Sequence, residues 1–137
     1  MSKFLTIKTS RGIRKIGSGQ PVFIVAEMSC NHLGSYQRAK RIIDAAAQAG
    51  ADAIKIQTYT ADTITIDSNK KCFQIKSGNK AWRGQTLYDL YQKAYTPWDW
   101  QPKLKKYAES RGLIFFSFPL DLTAVDFLEK MKVSSIK

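Results

Sequence analysis

Apolar runs and amphipathic segments alternate along the chain, and this alternation predicts its secondary structure. Five consecutive apolar residues at positions 22–26 lead into Glu27, a pattern typical of a strand that is buried on both faces in a parallel sheet. Residues 35–50 have apolar positions at helical spacing and end at Gly50, which predicts an amphipathic helix. A second buried strand is predicted over 53–57. Such a strand-helix-strand unit is right-handed, and its ligands bind at the C-terminal ends of the strands.

The remaining segments extend this pattern in both directions. Alternating residues at 3–8 and a return segment at 13–16 predict an N-terminal β-hairpin. An irregular stretch at 58–85 contains short β-like segments near 63–66 and 72–75. Two helices are predicted next, with N-caps at Thr86 and Thr96, followed by a strand over 113–118. A helix capped by Asp121 and a fourth strand over 133–137 complete the chain.

The order β-α-β-α-β-α-β indicates an α/β fold built from parallel repeats. A (β/α)8 barrel needs about 250 residues, so this chain corresponds to its N-terminal half, and an open four-stranded parallel sheet would also fit the length. A bare parallel edge at the fourth strand favours the N-terminal part of a longer protein. We therefore divide the chain into a hairpin with its linker at residues 1–20 and a partial barrel at residues 21–137, which stops near its fourth strand.

Composition adds an electrostatic constraint. The chain has 22 Lys plus Arg against 11 Asp plus Glu, a formal net charge of +11. This charge favours anionic partners, although the bland alternative is that the basic residues lie on solvated helix faces. Only net charge points to nucleic acid, and we expect no such partner. Two cysteines, the absence of a signal-peptide pattern and the absence of a long apolar run predict a cytoplasmic protein with no membrane contact.

Strand alternation separates the apolar and polar residues of the second strand. Lys55 and Gln57 point to one side of the sheet, opposite to the isoleucines at 54 and 56. A lysine that points into a barrel must meet an anion, because its desolvation is otherwise costly. With Glu27 and an inward Lys137 beside it, Lys55 would form an anion pocket that holds one acid/base group. The alternative is that Lys55 protects an exposed sheet edge and that Lys137 is solvated.

The turn after Glu27 contains the single histidine of the sequence. His32 lies two residues after Cys30, and such a pair could provide half of a zinc site. The alternative is a small buried cysteine with no metal. Asn31 and His32 either line the pocket at the strand ends or cap the turn into the first helix.

Three segments of the chain resemble one enzyme family. The segments FIVAEMSCNHLG (23–34) and GADAIKIQT (50–58) are similar to the sialic acid synthase family, whose members condense phosphoenolpyruvate with an amino sugar. The segment TLYDLYQKAYTPWDWQ (86–101) resembles the pseudaminic acid synthase branch of that family. The resemblance covers about residues 14–137. It implies the N-terminal half of a TIM-type (β/α)8 barrel, followed in the family by a small antifreeze-like domain that is not expected within these residues.

The resemblance also implies roles for individual residues. Lys55 and Lys137 match lysines that hold phosphoenolpyruvate, and Gln57 matches a residue of the same site. Glu27 matches an active-site glutamate near the reacting carbons. Family members use a divalent metal held by two histidines on later strands. We therefore expect manganese or magnesium in a full-length enzyme and no metal ligands in this chain.

Position 118 departs most from the family pattern, and Cys30 and Leu33 are milder changes in the turn after Glu27. The segment SFPL at 117–120 places Phe118 where relatives have a hydroxyl residue that contacts the phosphoenolpyruvate carboxylate. We expect Ser117 to substitute for it in part, and we include Asn31 and His32 in the predicted substrate-binding set.

The predicted function is the N-terminal part of a synthase that condenses phosphoenolpyruvate with an N-acetylated amino sugar to a nonulosonic acid of the pseudaminic or sialic type. We expect the full-length enzyme to be a homodimer and the 137-residue chain alone to be inactive. The alternative is a truncated or degenerate, non-catalytic copy that binds anionic metabolites or partners.

Overall fold

The computed structural model describes residues 4–9, 12–76 and 82–133 of the chain. Of the fourth strand predicted over 133–137, residues 134–137, which include Lys137, lie outside the described residues. The strands are β1 (Leu5–Thr9), β2 (Gly12–Ile16), β3 (Val25–Glu27), β4 (Ala53–Thr58) and β5 (Ile114–Pro119). The α-helices are α1 (Tyr36–Gln48), α2 (Ala61–Ile64), α3 (Leu87–Ala94), α4 (Gln101–Ser110) and α5 (Leu122–Lys130), with 3₁₀ turns at Lys71–Phe73 and Trp98–Trp100.

Two sheets make up the β structure of the described residues. β1 and β2 pair antiparallel as a hairpin, and β3, β4 and β5 form a parallel sheet in that order. The register places Glu27 beside Lys55 and Lys55 beside Phe116. The predicted hairpin and the predicted α/β architecture of parallel repeats are therefore confirmed.

The hydrophobic core lies on one side of the parallel sheet, under α1 and α4. Ile54, Ile56 and Phe115 point into it from the strands and are at most 1% exposed. Ile43 of α1 and Leu104 of α4 meet them and are fully buried. Because successive side chains of a strand point to opposite faces, Lys55 and Gln57 lie on the other side of the sheet.

The first parallel strand is shorter than predicted. The apolar run begins at Val22, but only Val25–Glu27 pairs as a strand. Ile24, the residue before this strand, donates its backbone N–H to the Asp52 carboxylate at 2.8 Å and not to a strand carbonyl. Val22 and Ile24 are 80% and 53% exposed, so the run is not buried on both faces within the described residues.

The predicted short strands between 58 and 85 are wrong. Residues 61–64 form the short helix α2, which Thr60 and Thr63 begin as a capping box. Residues 71–73 form a 3₁₀ turn, and only Gln74 makes an isolated bridge, to Thr86. This segment has no neighbouring strand to pair with in the described sheet. Local capping begins α2, and Tyr88 of α3 also holds α2 by donating a hydrogen bond to Asp62 at 2.7 Å.

Helix starts were predicted correctly where the cap is local. Thr86 caps α3 reciprocally with Asp89, and Asp121 accepts the Ala124 N–H at the start of α5. The predicted cap at Thr96 is wrong, because the next helical turn begins after Pro97 and the Thr96 hydroxyl bonds His32 instead.

Candidate functional site

The C-terminal ends of β3 and β4 place a carboxylate against a lysine. Lys55 Nζ lies 2.6 Å from Glu27 Oε2, and the two side chains are 20% and 43% exposed. The parallel register brings these residues side by side, so the pair follows directly from strand pairing. Lys55 is partly desolvated, and a neighbouring negative charge compensates for that cost. The Lys55 side chain keeps a fifth of its surface exposed, so it is not fully enclosed by the pair.

Gln57 extends this polar face toward the turn after β3. Its Oε1 accepts a hydrogen bond from Ser29 Oγ at 3.2 Å. Within the described part of the chain, its amide nitrogen makes no hydrogen bond and is therefore available to an acceptor. Glu27, Lys55 and Gln57 together present a carboxylate, an ammonium and an amide on one side of the sheet.

Aromatic side chains from β5 share this side of the sheet. In the register, Phe116 is the partner of Lys55 and Phe118 is the partner of Gln57. Phe116 also stacks with Phe23, with the ring centroids 6.1 Å apart. An apolar wall beside the ion pair lowers the local dielectric constant, which strengthens the attraction between Lys55 and an anion.

Ser117 lies on the opposite side of the sheet from this group. Its Oγ is 2.5 Å from Thr58 Oγ1, and both residues are fully buried. Strand alternation causes this orientation, because Ser117 lies between the two phenylalanines of β5 and must point away from them. The structure therefore does not bring Ser117 together with Lys55.

Asn31 and His32 are held within the turn after β3. Asn31 is exposed, and its Nδ2 donates to the Met28 carbonyl at 3.0 Å. His32 is fully buried; its Nδ1 accepts from the Gly34 N–H at 3.1 Å, and its Nε2 lies 3.1 Å from Thr96 Oγ1. Burial lowers the pKa of His32, so the ring is neutral at pH 7. Neither side chain points into the polar face that Lys55 and Gln57 form.

The half zinc site considered for Cys30 and His32 is not formed. Both ring nitrogens of His32 are already hydrogen-bonded inside the protein. Across residues 4–9, 12–76 and 82–133, no three His, Cys, Asp or Glu side chains come together as a possible metal site. Cys30 is a partly buried free thiol.

A buried polar network on the helix side of the sheet was not predicted. Thr58 Oγ1 donates to Gln101 Oε1 at 2.8 Å, and Gln101 Nε2 donates to the Thr96 carbonyl at 3.2 Å. The sequence does contain an indication of this network. Thr58 is polar, but strand alternation places it on the same buried face as Ile54 and Ile56. A polar side chain at such a position must find a buried partner.

No helix in the part of the chain that the structure describes is long and apolar enough to cross a membrane.

The chain is similar to known proteins in both sequence and structure. The model of the NeuB family matches residues 42–137. Pseudaminic acid synthase of Campylobacter jejuni is 44% identical over 118 residues, which cover 86% of this chain and 34% of that protein. N,N'-diacetyllegionaminic acid synthase of Legionella pneumophila is 35% identical over 126 residues, which cover 92% of this chain and 35% of that protein.

The structural comparison gives the same result. The crystal structure of N-acetylneuraminic acid (sialic acid) synthetase from Leptospira borgpetersenii in complex with citrate matches with a TM-score of 0.77 and 29% identity. The match covers 99% of this chain and 41% of that chain. The prediction of an N-terminal half of a TIM-type barrel after a hairpin is confirmed. This chain spans about a third of the length of the curated relatives it matches.

Proposed function

The chain belongs to the NeuB family, and on this premise we propose that it is the N-terminal barrel part of a nonulosonic acid synthase. The reaction joins C3 of phosphoenolpyruvate to the aldehyde carbon of an N-acetylated amino sugar; water adds at C2, and phosphate leaves. The names of the relatives, pseudaminic and N,N'-diacetyllegionaminic acid synthases, support this class of product. The relative solved with citrate, a carboxylate ligand, supports an anionic substrate.

The observation that carries the proposal is the ion pair between Lys55 and Glu27 at the strand ends. In the proposed reaction, Lys55 neutralises the carboxylate or phosphate of phosphoenolpyruvate. This lowers the cost of bringing the electron-rich enol against a carbonyl group. The same ion pair holds Glu27 next to the bound substrate, where its carboxylate handles a proton or orients the sugar.

Gln57 and the two phenylalanines of β5 complete this arrangement. The amide nitrogen of Gln57 donates to an anionic oxygen of the substrate, while its Oε1 stays on Ser29. Phe116 and Phe118 exclude water from one side of the ion pair, since the register places them beside Lys55 and Gln57.

A divalent metal, implied by the family resemblance, does not fit the described residues. No group of three potential ligands occurs among them, and both nitrogens of His32 are bonded within the protein. In the proposed reaction, the described residues bind and orient the substrates and do not hold the metal.

A non-catalytic, anion-binding copy is the second candidate function. Phe118 favours it, because a ring stands where family members present a hydroxyl to the carboxylate, and so does the net charge of +11. Both candidates use Lys55 to bind an anion, and they differ only in whether the sugar is converted.

The substitution Lys55→Met tests the pocket, since it keeps the side-chain length and removes the charge. The substitution is made in a full-length relative that carries this chain as its N-terminal part. Calorimetric titration of that protein with phosphoenolpyruvate should show an affinity reduced by about tenfold or more, the loss expected for a charged hydrogen bond. The matched control is Lys105→Met: Lys105 also pairs with a carboxylate, Glu109, at 2.8 Å and has a side chain 19% exposed. It lies on α4, away from the strand ends, and its replacement should leave the affinity unchanged.

Turnover separates the two candidate functions. A chimera in which this chain replaces the matching third of Campylobacter jejuni pseudaminic acid synthase should release phosphate when both substrates and manganese are present. Equal affinities of the Lys55→Met and Lys105→Met proteins would contradict the pocket assignment. A chimera that binds phosphoenolpyruvate through Lys55 without releasing phosphate would favour the non-catalytic alternative.

A further inference from the structure

Five buried side chains form a continuous polar network behind the candidate site. They join the turn after β3, the ends of β4 and β5, the segment before α4, and α4 itself, and none is more than 2% exposed: His32, Thr58, Thr96, Gln101 and Ser117. The hydrogen bonds run from Ser117 to Thr58 (2.5 Å), from Thr58 to Gln101 (2.8 Å), from Gln101 to the Thr96 carbonyl (3.2 Å) and between His32 and the Thr96 hydroxyl (3.1 Å).

The network fixes the position of the protons at both of its ends. The Gly34 N–H donates to His32 Nδ1, so the neutral ring carries its proton on Nε2 and donates it to Thr96 Oγ1. At the other end, Thr58 donates to Gln101 Oε1, so its oxygen accepts from Ser117. Four hydrogen bonds thus link these five buried residues, and such a buried network holds its members in one arrangement.

The turn that His32 anchors connects Glu27 to α1. Ser29 and Leu33 adopt φ values of +47° and +49°, the left-handed region that non-glycine residues seldom occupy. Such a conformation persists only when its surroundings hold it. The His32 ring stabilises this conformation by two hydrogen bonds, one with Gly34 within the turn and one with Thr96 outside it. On the other side, Ser29 donates to Gln57 on the polar face.

We propose that His32 is a positioning residue: it locks the turn of residues 28–34 to Thr96 and so sets Ser29, Gln57 and Glu27 for the anionic substrate. The proposal rests on the proposed function, because phosphoenolpyruvate is the ligand that the positioned groups receive. His32 itself does not touch the substrate, because it is fully buried and both of its ring nitrogens are hydrogen-bonded within the protein.

The state of the His32 ring can be measured without any ligand. It is the only histidine in the sequence, so histidine-selective ¹⁵N labelling of the chain gives one set of ring signals. The expected result at pH 7 is the tautomer with the proton on Nε2, and burial lowers the pKa of the ring, so its midpoint of protonation should lie below the ordinary value of 6.5. A proton on Nδ1, or a ring that titrates normally in the folded chain, would overturn the proposal.

Substitutions at position 96 test the link from the turn to the site. Thr96→Val removes the hydroxyl at nearly constant shape, and Thr96→Ser keeps it. The control is Thr86→Val, since Thr86 is also buried, 7% exposed, and caps α3 outside the network. Thr96→Val should weaken phosphoenolpyruvate binding about tenfold and shift the amide signals of Ser29 and Gln57. Thr96→Ser should keep the wild-type affinity and the wild-type amide signals. Thr86→Val should likewise change neither the affinity nor these signals.

Replacements of the ring itself distinguish its two hydrogen bonds. His32→Gln keeps an amide donor near the position of Nε2, whereas His32→Asn keeps an acceptor near the position of Nδ1. Because the contact with Thr96 is the one that leaves the turn, His32→Gln should retain more of the affinity for phosphoenolpyruvate than His32→Asn. The reverse order would overturn the proposal, and this comparison remains decisive if Thr96→Val does not fold.

The failure of the proposed function gives a different result from the failure of this inference. A wild-type chain that does not bind phosphoenolpyruvate contradicts the proposed function alone. In that case the signals of Ser29 and Gln57 decide: a shift in Thr96→Val but not in Thr86→Val supports the positioning role. Unchanged signals in Thr96→Val would overturn it.

Discussion

Adjacent residues of β4 have opposite roles. Ile56 and Thr58 are fully buried on the helix side, while Lys55 and Gln57 line the polar side. A shift of one residue in the register would exchange these two sets. It would place a lysine among the apolar side chains of α1 and α4 without an acid to pair with. The apolar packing of β4 therefore fixes where the positive charge of the candidate site lies.

Replacement of Phe118 by threonine should improve the use of phosphoenolpyruvate. Phe118 is the strand partner of Gln57, so a hydroxyl at this position would face the polar side of the sheet. A hydrogen bond to a charged carboxylate contributes about 1 to 3 kcal/mol, which corresponds to at least a several-fold gain in kcat/KM of the chimera. Steady-state phosphate release at limiting phosphoenolpyruvate measures this gain.

The control for this prediction is Phe118→Leu, which removes the ring without adding a donor. It should give no gain. An equal improvement in the leucine and threonine variants would show that the ring obstructs the substrate and that the hydroxyl contributes nothing.

Strand alternation was sufficient to predict which residues of β4 share a face, because that pattern is local. It predicted Lys55 and Gln57 on one side and the isoleucines on the other, as the structure shows. The place of His32 could not be predicted in this way. Its partner Thr96 is 64 positions away, and a single polar residue in a turn does not indicate which distant hydroxyl it meets.

One carboxylate connects the hairpin to the parallel sheet. Asp52 precedes β4 and accepts from Arg14 Nε at 2.8 Å, from Arg14 Nη2 at 3.3 Å and from the Ile24 N–H at 2.8 Å. A two-stranded hairpin is marginally stable by itself. Leu5 and Ile13 of the hairpin are 71% and 66% exposed, so apolar burial contributes little to its attachment. Within the described residues, the ion pair between Arg14 and Asp52 is therefore the main side-chain interaction between the two sheets.

The substitution Asp52→Asn should destabilise the protein in a pH-dependent manner. The Arg14 guanidinium, with help from the Ile24 N–H, holds the pKa of Asp52 below its ordinary value of 3.8, although burial opposes this shift. The carboxylate thus stabilises the fold above pH 3.8 and loses that effect as the pH falls through its folded pKa. Urea unfolding followed by tryptophan fluorescence should show a lower midpoint for the variant at pH 7, and a smaller difference from wild type in acid.

The comparison for Asp52→Asn is Glu109→Gln, in the surface pair with Lys105 within α4. Its midpoint should stay close to that of wild type, because a pair four residues apart on a helix surface contributes little. If the urea midpoint of Asp52→Asn lies below that of wild type by the same amount at pH 7 and in acid, the side chain acts by packing and not by charge.

Caps explain which elements were predictable from sequence. Thr86 and Asp121 begin their helices through hydrogen bonds to residues three positions away, so the local pattern was enough. Thr96 precedes proline and resembles a cap equally well, but the buried His32 ring takes its hydroxyl. The long segment after β4 could not be predicted for a related reason, since isolated turns such as α2 depend on contacts with α3.

The described parallel sheet ends at β3 on one side and at β5 on the other. Apolar side chains are exposed near both edges: Val22 is 80% exposed and Leu122 at the start of α5 is 83% exposed. A (β/α)8 barrel removes such edges by closure. The family and fold class could be predicted because their motifs are local, whereas the state of these edges depends on residues that the three described strands do not supply.

The 137-residue chain produced alone should show no synthase activity and should self-associate. Among the described residues, β3 and β5 each have one side with no neighbouring strand, and such an edge favours pairing with another copy. The described residues assemble an anion-binding face around Lys55, but they bring together no group of three potential metal ligands to serve the aldehyde. Light scattering should therefore report dimers or larger species. A phosphate-release assay with phosphoenolpyruvate, manganese and candidate amino sugars should give only the background rate, while the chimera in the same assay releases phosphate. Metal-dependent phosphate release from a monomeric chain, rising with the sugar concentration, would contradict the prediction.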